Sequence, residues 1–170
     1  MIKKVHRNYL VIKSLEELNY SRGPNNNCHL IKIDPPDFQI NKFFYKQIGS
    51  DHRWIDRLIW DDQKWISYVG NPNVKTYVLK ENEELVGYFE QIINHEKNDC
   101  EIAYFGILKE FYGKKYGAYL LSLAIKKCFE QNLEKVWLHT CSLDHENALK
   151  NYLARGMKIF KSETINLDII

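Results

Sequence analysis

Residues 101–118, EIAYFGILKEFYGKKYGA, carry the strongest structural pattern of this 170-residue chain. An apolar run interrupted by Gly106 predicts a strand, and the sequence Gly-Lys-Lys-Tyr-Gly at 113–117 predicts a basic loop. The amphipathic segment that follows predicts a helix over about 114–131. Because the first turn of a helix leaves backbone N–H groups free, here beside two lysines, this arrangement predicts a phosphate-binding loop.

The size and composition of the chain are those of one globular domain. Hydrophobic residues make up 45% and aromatic residues 14% of the sequence, which excludes a disordered protein. The 24 basic and 22 acidic residues leave a net charge of +2, which argues against a nucleic-acid partner. No segment is apolar enough for a signal peptide or a membrane span, so we expect no membrane partner.

The cysteines are scattered and form no C-x-x-C pair, which excludes a zinc ribbon and argues against a disulfide framework. We therefore expect reduced thiols and a cytoplasmic protein. These cysteines are Cys28, Cys100, Cys128 and Cys141.

Helical and extended patterns divide the chain into two parts. In the first part, residues 8–15 and 28–33 read as strands, and helices are predicted at about 40–48 and within 52–69, where Asp51 or Asp61 is a candidate helix cap. In the second part, three strands between 75 and 108 form an antiparallel meander. A strand at 134–141, a helix ending at Gly156 and one or two strands within 157–170 complete a mixed α/β sheet.

The loop at 112–118 resembles the acetyl-CoA loop of the GNAT (Gcn5-related) N-acetyltransferase superfamily. That loop reads [Q/R]-x-x-G-x-[G/A], and this chain departs from it at Tyr112, in place of Gln or Arg, and at Lys115, in place of the middle glycine. A Cβ at position 115 crowds the point where the family brings pyrophosphate against the backbone. The resemblance assigns pyrophosphate binding to Tyr112, Gly113, Lys114, Lys115, Tyr116, Gly117 and Ala118.

The resemblance implies a single GNAT domain over residues 1–170, with an α/β (α+β mixed) architecture. Its mostly antiparallel, twisted central sheet is flanked by helices and splayed between the strands at about 101–108 and 134–141. Residues 75–160 are the expected acetyl-CoA-binding core and residues 1–70 the expected acceptor side. Acetyl-CoA would lie between the splayed strands, with Ile107 and neighbouring backbone groups pairing with pantetheine.

Gly106, within the predicted strand, has two interpretations. A glycine in a strand marks either a bulge or a close approach of another part of the chain. It would therefore reflect either packing against a helix or the separation of this strand from its neighbour beside a ligand.

The last helix supplies a candidate general acid. The family pattern N-x-x-A-x-x-x-Y-x-x-x-G matches Ala148, Tyr152 and Gly156, with His145 in place of the asparagine. The resemblance implies that Tyr152 protonates the departing thiolate, for which a phenol of pKa near ~10 is suitable. The alternative is a tyrosine that serves only the hydrophobic core.

The candidate general base is a glutamate. Glu101 begins the glycine-containing strand, where histone acetyltransferases of the superfamily place a catalytic glutamate, and burial of a carboxylate raises its pKa towards the useful range. Glu90 on the preceding strand is a rival, and a water relay is a third route.

Two further groups of residues have competing interpretations. His139 and Cys141 share one face of a strand, but no further ligands stand at suitable spacing, so we predict no metal. In the aromatic segment 52–60, the tryptophans are explained by packing, whereas Asp56 and Arg57 are candidates to contact a polar acceptor.

The sequence therefore predicts an acyltransferase that moves the acetyl group of acetyl-CoA to a primary amine of a small molecule or peptide. The resemblance implies direct attack in a ternary complex, without metal, and homodimers occur often among relatives. The alternative is a non-catalytic acyl-CoA-binding regulatory module, motivated by the departures at Tyr112, Lys115 and His145.

Overall fold

The computed structural model describes residues 1–168 and contains seven strands and four α-helices. The last two residues of the predicted closing strands, 169 and 170, lie outside the described residues. In chain order the elements are β1 (Ile2–Ile12), β2 (Cys28–Lys32), α1 (Phe38–Gly49), α2 (Asp62–Val69), β3 (Val74–Glu81), β4 (Glu84–Asn94), β5 (Asp99–Ile107), α3 (Tyr116–Phe129), β6 (Lys135–Cys141), α4 (Ala148–Ala154) and β7 (Lys158–Asp168). Short 3₁₀ turns lie at Leu15–Glu17 and Lys109–Phe111.

All seven strands belong to one sheet of order β2-β3-β4-β5-β6-β1-β7. Every neighbouring pair is antiparallel except β5 and β6, which are parallel. The predicted mixed, largely antiparallel sheet is thus confirmed, including the meander β3-β4-β5. The N-terminal strand β1 lies between β6 and β7, so the first residues of the chain complete the C-terminal half of the sheet.

The sheet splays between β5 and β6, as the sequence predicted. These strands pair only from Asp99 with Lys135 to Glu101 with Trp137, and they separate beyond that point. The edge of β5 that faces β6 is therefore free of strand pairing after Glu101, which opens a V-shaped cleft with Glu101 at its vertex.

A β-bulge at Ala103 sets which side chains of β5 face which layer. Glu90 pairs with Tyr104 and Gln91 with Ile102, so Ala103 is the extra residue. Since alternate residues of β4 share a face, Tyr104 lies opposite Glu90 and Glu101 lies opposite Ile92 on the same side of the sheet. The bulge thereby brings Glu101 and Tyr104 to the face covered by α1.

The two faces of the sheet are covered by different helices. α3 begins at Tyr116, within two residues of the predicted start, and buries Leu120, Leu121 and Ile125 against the larger hydrophobic core. On the opposite face, Phe44 and Ile48 of α1 form a second core with strands β3 to β5.

Gly106 is required by packing. A Cβ built on Gly106 would lie 2.7 Å from Cγ2 of Ile48 on α1, and a Cβ on Gly87 of β4 would lie 2.5 Å from the Gly106 carbonyl oxygen. The bulge in this strand lies instead at Ala103. Gly106 is therefore explained by its packing against a helix, the first of its two interpretations.

The helix predicted within 52–69 is present, and it occupies only the second half of that range. Residues 51–60 form turns and irregular backbone, and α2 begins only at Asp62. Asp61 is its N-cap and accepts a hydrogen bond from the Lys64 N–H at 2.8 Å, as one of the two predicted caps. In the upstream segment the Arg57 N–H donates to the Tyr45 hydroxyl at 3.0 Å instead of to a helical carbonyl, and the Arg57 side chain reaches Glu90 at 2.9 Å.

The last helix is shorter than the sequence pattern indicated. α4 begins at Ala148 because Asp144 accepts hydrogen bonds from the Thr140 hydroxyl and the Cys141 N–H, which hold it at the end of β6. The predicted glycine end is confirmed: Gly156 has φ of +106°, and a Cβ there would lie 2.1 Å from the Glu17 carbonyl oxygen.

Candidate active site

A cleft of about 700 Å³ follows the opening between β5 and β6. Its walls come from β5, from the turn before α3, from α4 and from the segment between α1 and α2. All four elements of the sequence prediction meet there: Glu101, Ile107, Tyr152 and the loop at 112–118 apart from Lys114.

The loop before α3 presents backbone donors to one end of this cleft. Gly113 and Lys115 both have left-handed backbone conformations, with φ of +76° and +68°. The first hydrogen bond into the helix runs from the Tyr119 N–H to the Lys115 carbonyl at 3.2 Å, so the N–H groups of the preceding turn are available to a ligand. With the positive end of the helix dipole, they form an anion-binding surface.

The two tyrosines of the loop have different roles. Tyr116 is buried and donates a hydrogen bond from its hydroxyl to Glu81 at 2.6 Å, so only its backbone is available to phosphate. Tyr112 packs its ring against His145 at 5.0 Å, and its hydroxyl lies 3.5 Å from the His52 ring nitrogen. Sequence reasoning missed His52, since the loop that carries it has no recognisable spacing.

Glu101 is half-buried at the vertex of the cleft. Burial raises the pKa of its carboxyl group, Asp99 raises it further, and Arg57 partly opposes both. The carboxylate is therefore a stronger base than an exposed glutamate and has no hydrogen-bond partner among residues 1–168 that would occupy it.

The rival Glu90 is fully buried and committed to other groups. Its carboxylate accepts hydrogen bonds from Arg57 at 2.9 Å, Tyr68 at 2.6 Å and Asn41 at 3.0 Å. It does not line the cleft. Glu90 thus joins β4 to α1, to α2 and to the segment between those two helices.

Tyr152 lies on the other side of the cleft from Glu101. It is 7% exposed, its ring lies 6.3 Å from that of Phe105, and burial, followed by the nearby Asp144, raises the pKa of its phenol. Phe105 belongs to the core under α3, whereas Glu101 faces the layer of α1. The two candidate catalytic groups therefore approach the cleft from opposite faces of the sheet.

The segment between α1 and α2 forms another wall. Trp54 packs on Tyr104 with ring centroids 4.8 Å apart, and Asp56 accepts hydrogen bonds from the hydroxyls of Tyr104 and Tyr45. Arg57 is 5% exposed and lies among aromatic rings. The two residues that the sequence offered for acceptor contact, Asp56 and Arg57, both line the cleft, but the Arg57 guanidinium is paired with Glu90.

A comparison of the sequence with known protein families leads to the same fold. The sequence model described as "Acetyltransferase (GNAT) family" matches residues 35–157, most of the chain and all of the elements from α1 to α4. The chain belongs to the GNAT acetyltransferase family.

Solved structures share the GNAT fold at low sequence identity. A functionally unknown conserved protein from Staphylococcus epidermidis has a TM-score of 0.69 at 18% identity over 96% of this chain. A GCN5-related N-acetyltransferase from Sphaerobacter thermophilus gives 0.72 at 12% over 95%. An aminoglycoside acetyltransferase from an uncultured soil metagenomic sample, in complex with trehalose, gives 0.65 at 13% over 77%. No curated protein matches the sequence.

The lengths of these relatives differ. The present chain spans 61% of the staphylococcal protein, 50% of the Sphaerobacter protein and 88% of the metagenomic acetyltransferase.

The backbone donors of the GNAT loop remain accessible in spite of the lysine at position 115. A left-handed conformation is the one that glycine adopts freely, and Lys115 adopts it with φ of +68° and ψ of +11°. The side chain is exposed, so it leaves the backbone donors of the turn accessible and adds a positive charge.

Replacing Lys115 by glycine tests this backbone geometry. A left-handed residue other than glycine is strained by roughly 1–2 kcal/mol, whereas glycine loses about 0.5–1 kcal/mol more backbone entropy on folding. We therefore expect Lys115→Gly to change the free energy of unfolding by between zero and about 1.5 kcal/mol in the stabilising direction, measured by urea denaturation. The matched control, Lys114→Gly, removes the same charge beside it and should destabilise; equal losses in both variants would show that position 115 is not strained.

His139 and Cys141 both line the cleft from β6. Burial lowers the pKa of His139 and raises that of Cys141. Within residues 1–168, no group of three or more His, Cys, Asp or Glu side chains is arranged to hold a metal ion. None of the described helices is long and apolar enough to cross a membrane.

Proposed function

We propose that this protein transfers the acetyl group of acetyl-CoA to a primary amine of a small molecule or peptide by direct attack in a ternary complex. The observation that carries the proposal is that the unpaired edge of β5, the N–H groups before α3 and the half-buried Glu101 meet in one cleft. The pyrophosphate would bind to the loop at 112–118 and the pantetheine arm along β5 near Ile107. The thioester would then lie towards the vertex of the cleft.

The proposed reaction assigns one proton to each catalytic residue. The amine nitrogen forms a bond to the thioester carbonyl carbon while Glu101 accepts the proton that the nitrogen loses. The tetrahedral intermediate then collapses, the carbon–sulfur bond breaks, and Tyr152 donates a proton to the departing thiolate. Backbone N–H groups near Ile107 would stabilise the charge on the carbonyl oxygen.

The positions of Glu101 and Tyr152 support this division of roles. Because they approach from opposite faces of the sheet, one can serve the entering amine while the other serves the leaving sulfur. The raised pKa of the Tyr152 phenol keeps it protonated at neutral pH, as a proton donor must be. Positioning both groups beside a bound thioester supplies rate through orientation as well as proton transfer.

The proposal of an amine acceptor is based on the residues of the cleft and not on the substrate of any one relative. The metagenomic relative acetylates aminoglycosides according to its name, and a second structure of it contains sisomicin. Its 13% identity to this chain establishes shared fold alone. We therefore propose an amine acceptor of small-molecule or peptide type without adopting that drug as the substrate.

Thermal unfolding with acetyl-CoA tests the donor site. At about one hundred times the dissociation constant, acetyl-CoA should stabilise the protein by roughly 2.7 kcal/mol, which raises the midpoint by about 5–10 °C for a domain of this size. ATP serves as a control for unspecific phosphate binding. Charge reversal at Lys114 and Lys115 should reduce the shift, whereas reversal at Lys126 and Lys127, at the other end of α3, should not.

The same experiment separates the enzyme from a non-catalytic acyl-CoA-binding module. A thermal shift combined with release of free CoA thiol in the presence of amines supports the transferase. A shift without thiol release from a broad amine panel favours the regulatory module, and no shift with acetyl-CoA contradicts both.

Replacing Tyr152 by phenylalanine tests the general acid. We expect the turnover number to fall about 100-fold, at the low end for acid catalysis, because the raised pKa makes Tyr152 a weak acid. The affinity for acetyl-CoA, measured by calorimetry, should be unchanged because the ring still packs on Phe105. Tyr119→Phe, on α3 outside the cleft, is the control; equal turnover in the Tyr152 variant and the wild type would remove this residue from the mechanism.

A further inference from the structure

The carboxylate of Asp56 is held in a defined position on the acceptor side of the cleft. The Tyr104 hydroxyl donates to both of its oxygens, at 2.9 and 2.7 Å, and the Tyr45 hydroxyl donates to one of them at 2.7 Å. Tyr45 in turn accepts a hydrogen bond from the Arg57 N–H at 3.0 Å. The carboxylate is therefore oriented by a fixed network although its backbone lies in an irregular segment.

The Asp56 carboxylate has no ion-pair partner among the described residues. The adjacent Arg57 carries the nearest positive charge along the chain, but its guanidinium is directed inward to Glu90, at 2.9 Å. Among the ion pairs of residues 1–168, none includes Asp56. The two tyrosine hydroxyls are neutral donors, and burial together with Asp56 itself raises their pKa, so they remain protonated. A carboxylate without an ion-pair partner thus faces the cleft, which Arg7, Arg53 and Lys115 also line.

Aromatic surfaces lie beside that charge. Trp54 lines the cleft, and its ring packs at 4.8 Å from the ring of Tyr104, which lines it as well. A carboxylate combined with aromatic faces is the chemistry that recognises an ammonium group, through a charge-assisted hydrogen bond and cation–π attraction.

From this arrangement we propose that Asp56 binds a second cationic group of the acceptor, so that the preferred substrates are amines with two or more positive charges. The inference rests on the proposed acetyl transfer, and it assigns the acceptor class for the same cleft. Asp56 is the specificity-determining residue, and Tyr45 and Tyr104 are positioning residues that act through it.

The relative placement of Glu101 and Asp56 defines the spacing of the two charges. Owing to the bulge at Ala103, Glu101 and Tyr104 lie on one face of β5, opposite Ile92 and Glu90. Two strand positions correspond to roughly 7 Å, and the Tyr104 side chain extends from there to Asp56. An acceptor with a flexible spacer between its amines can therefore present one nitrogen near Glu101 while the other contacts Asp56.

The test compares two acceptors of equal chain length, 1,6-diaminohexane and 1-aminohexane, in wild-type protein and in Asp56→Asn. We expect the wild type to prefer the diamine by at least tenfold in kcat/KM. In the variant, KM for the diamine should rise about 10- to 100-fold, in keeping with the loss of a hydrogen bond to a charged group, while kinetics with 1-aminohexane change less than twofold. Asp62→Asn, an exposed aspartate on α2 outside the cleft, is the matched control.

Each outcome decides one of the two proposals. Equal use of both amines by the wild type, or equal losses for both in Asp56→Asn, would overturn the role of Asp56 and leave acetyl transfer intact. If neither amine is acetylated although acetyl-CoA stabilises the protein, the broad amine panel described above decides the proposed function. Calorimetric titration of the protein with 1,6-diaminohexane then decides the inference: binding that Asp56→Asn abolishes supports it, and absence of binding contradicts it.

Discussion

Arg57→Ala should destabilise the protein by about 3–5 kcal/mol, because it leaves the carboxylate of Glu90 buried without its ionic partner. The guanidinium is 5% exposed and Glu90 is fully buried, and the two are joined at 2.9 and 3.2 Å. Burial acts to lower the pKa of Arg57, but Glu90 and the neighbouring tyrosines outweigh it and raise the pKa overall. The loss is measured as the free energy of unfolding in urea.

The aromatic surroundings of Arg57 add to this loss. Its guanidinium carbon lies 4.1 Å from the ring centroid of Tyr104, 4.3 Å from that of Tyr68 and 4.7 Å from that of Trp60. Truncation removes these contacts and leaves a cavity that the rings cannot fill without moving.

An exposed ion pair provides the control for Arg57→Ala. Lys42 and Asp62 are 3.4 Å apart at the surface, so Lys42→Ala should change the stability by no more than about 0.5 kcal/mol. If Arg57→Ala fails to fold, Arg57→Lys keeps the charge but loses the planar fork, and it should still be less stable than the wild type. A loss below about 1 kcal/mol in Arg57→Ala would show that the buried pair contributes little.

The pair of Arg57 and Glu90 also explains where sequence reasoning failed. Trp54, Leu58, Asp61 and Trp65 have helical spacing, but this spacing did not show that the helix predicted within 52–69 begins only at Asp62. In the structure the Arg57 N–H donates to the Tyr45 hydroxyl of α1 instead of to a helical carbonyl, and the Arg57 side chain bonds to a glutamate on β4. Those contacts join distant parts of the chain, and a local pattern carries no information about them.

The elements that the sequence predicted well are those built from local patterns. The meander β3-β4-β5, the loop before α3 and the glycine end of α4 each depend on residues that are neighbours in the chain. The position of β1 between β6 and β7 depends on pairing over more than one hundred residues, for example between Asn8 and Ser162. Alternation in β1 indicates a strand but does not specify its partners.

In the candidate site, too, the residues of local motifs were predictable and the contacts between distant residues were not. The phosphate loop, Glu101 and Tyr152 follow from a motif and from family resemblance, and the structure brings them to one cleft. The sequence offered both Asp56 and Arg57 for contact with the acceptor. Only the structure shows that the hydroxyls of Tyr45 and Tyr104 orient Asp56, whereas Arg57 pairs with Glu90. The bulge at Ala103, which brings Tyr104 to the side of Glu101, has no signature in the sequence.

Replacing Glu101 by glutamine should reduce the turnover number by about 100-fold or more, in the range of general base catalysis. Glutamine keeps the size and the polar contacts of the side chain but accepts no proton. The affinity for acetyl-CoA should stay the same, because the phosphate loop lies at the other end of the cleft. Glu146→Gln, an exposed glutamate outside the cleft, is the matched control.

The pH dependence of turnover gives the sharper test of Glu101. A general base works in its deprotonated form, so activity falls as the pH falls through its pKa. Because burial and then Asp99 raise the pKa of Glu101, this acidic limb should lie above the range of an exposed glutamate, whose pKa is near ~4.3. In Glu101→Gln the limb should disappear when turnover is measured at saturating acceptor. An unchanged limb would assign the base to another group, and because Glu90 is held by Arg57, Tyr68 and Asn41, a water molecule in the cleft would then be the remaining route for the proton.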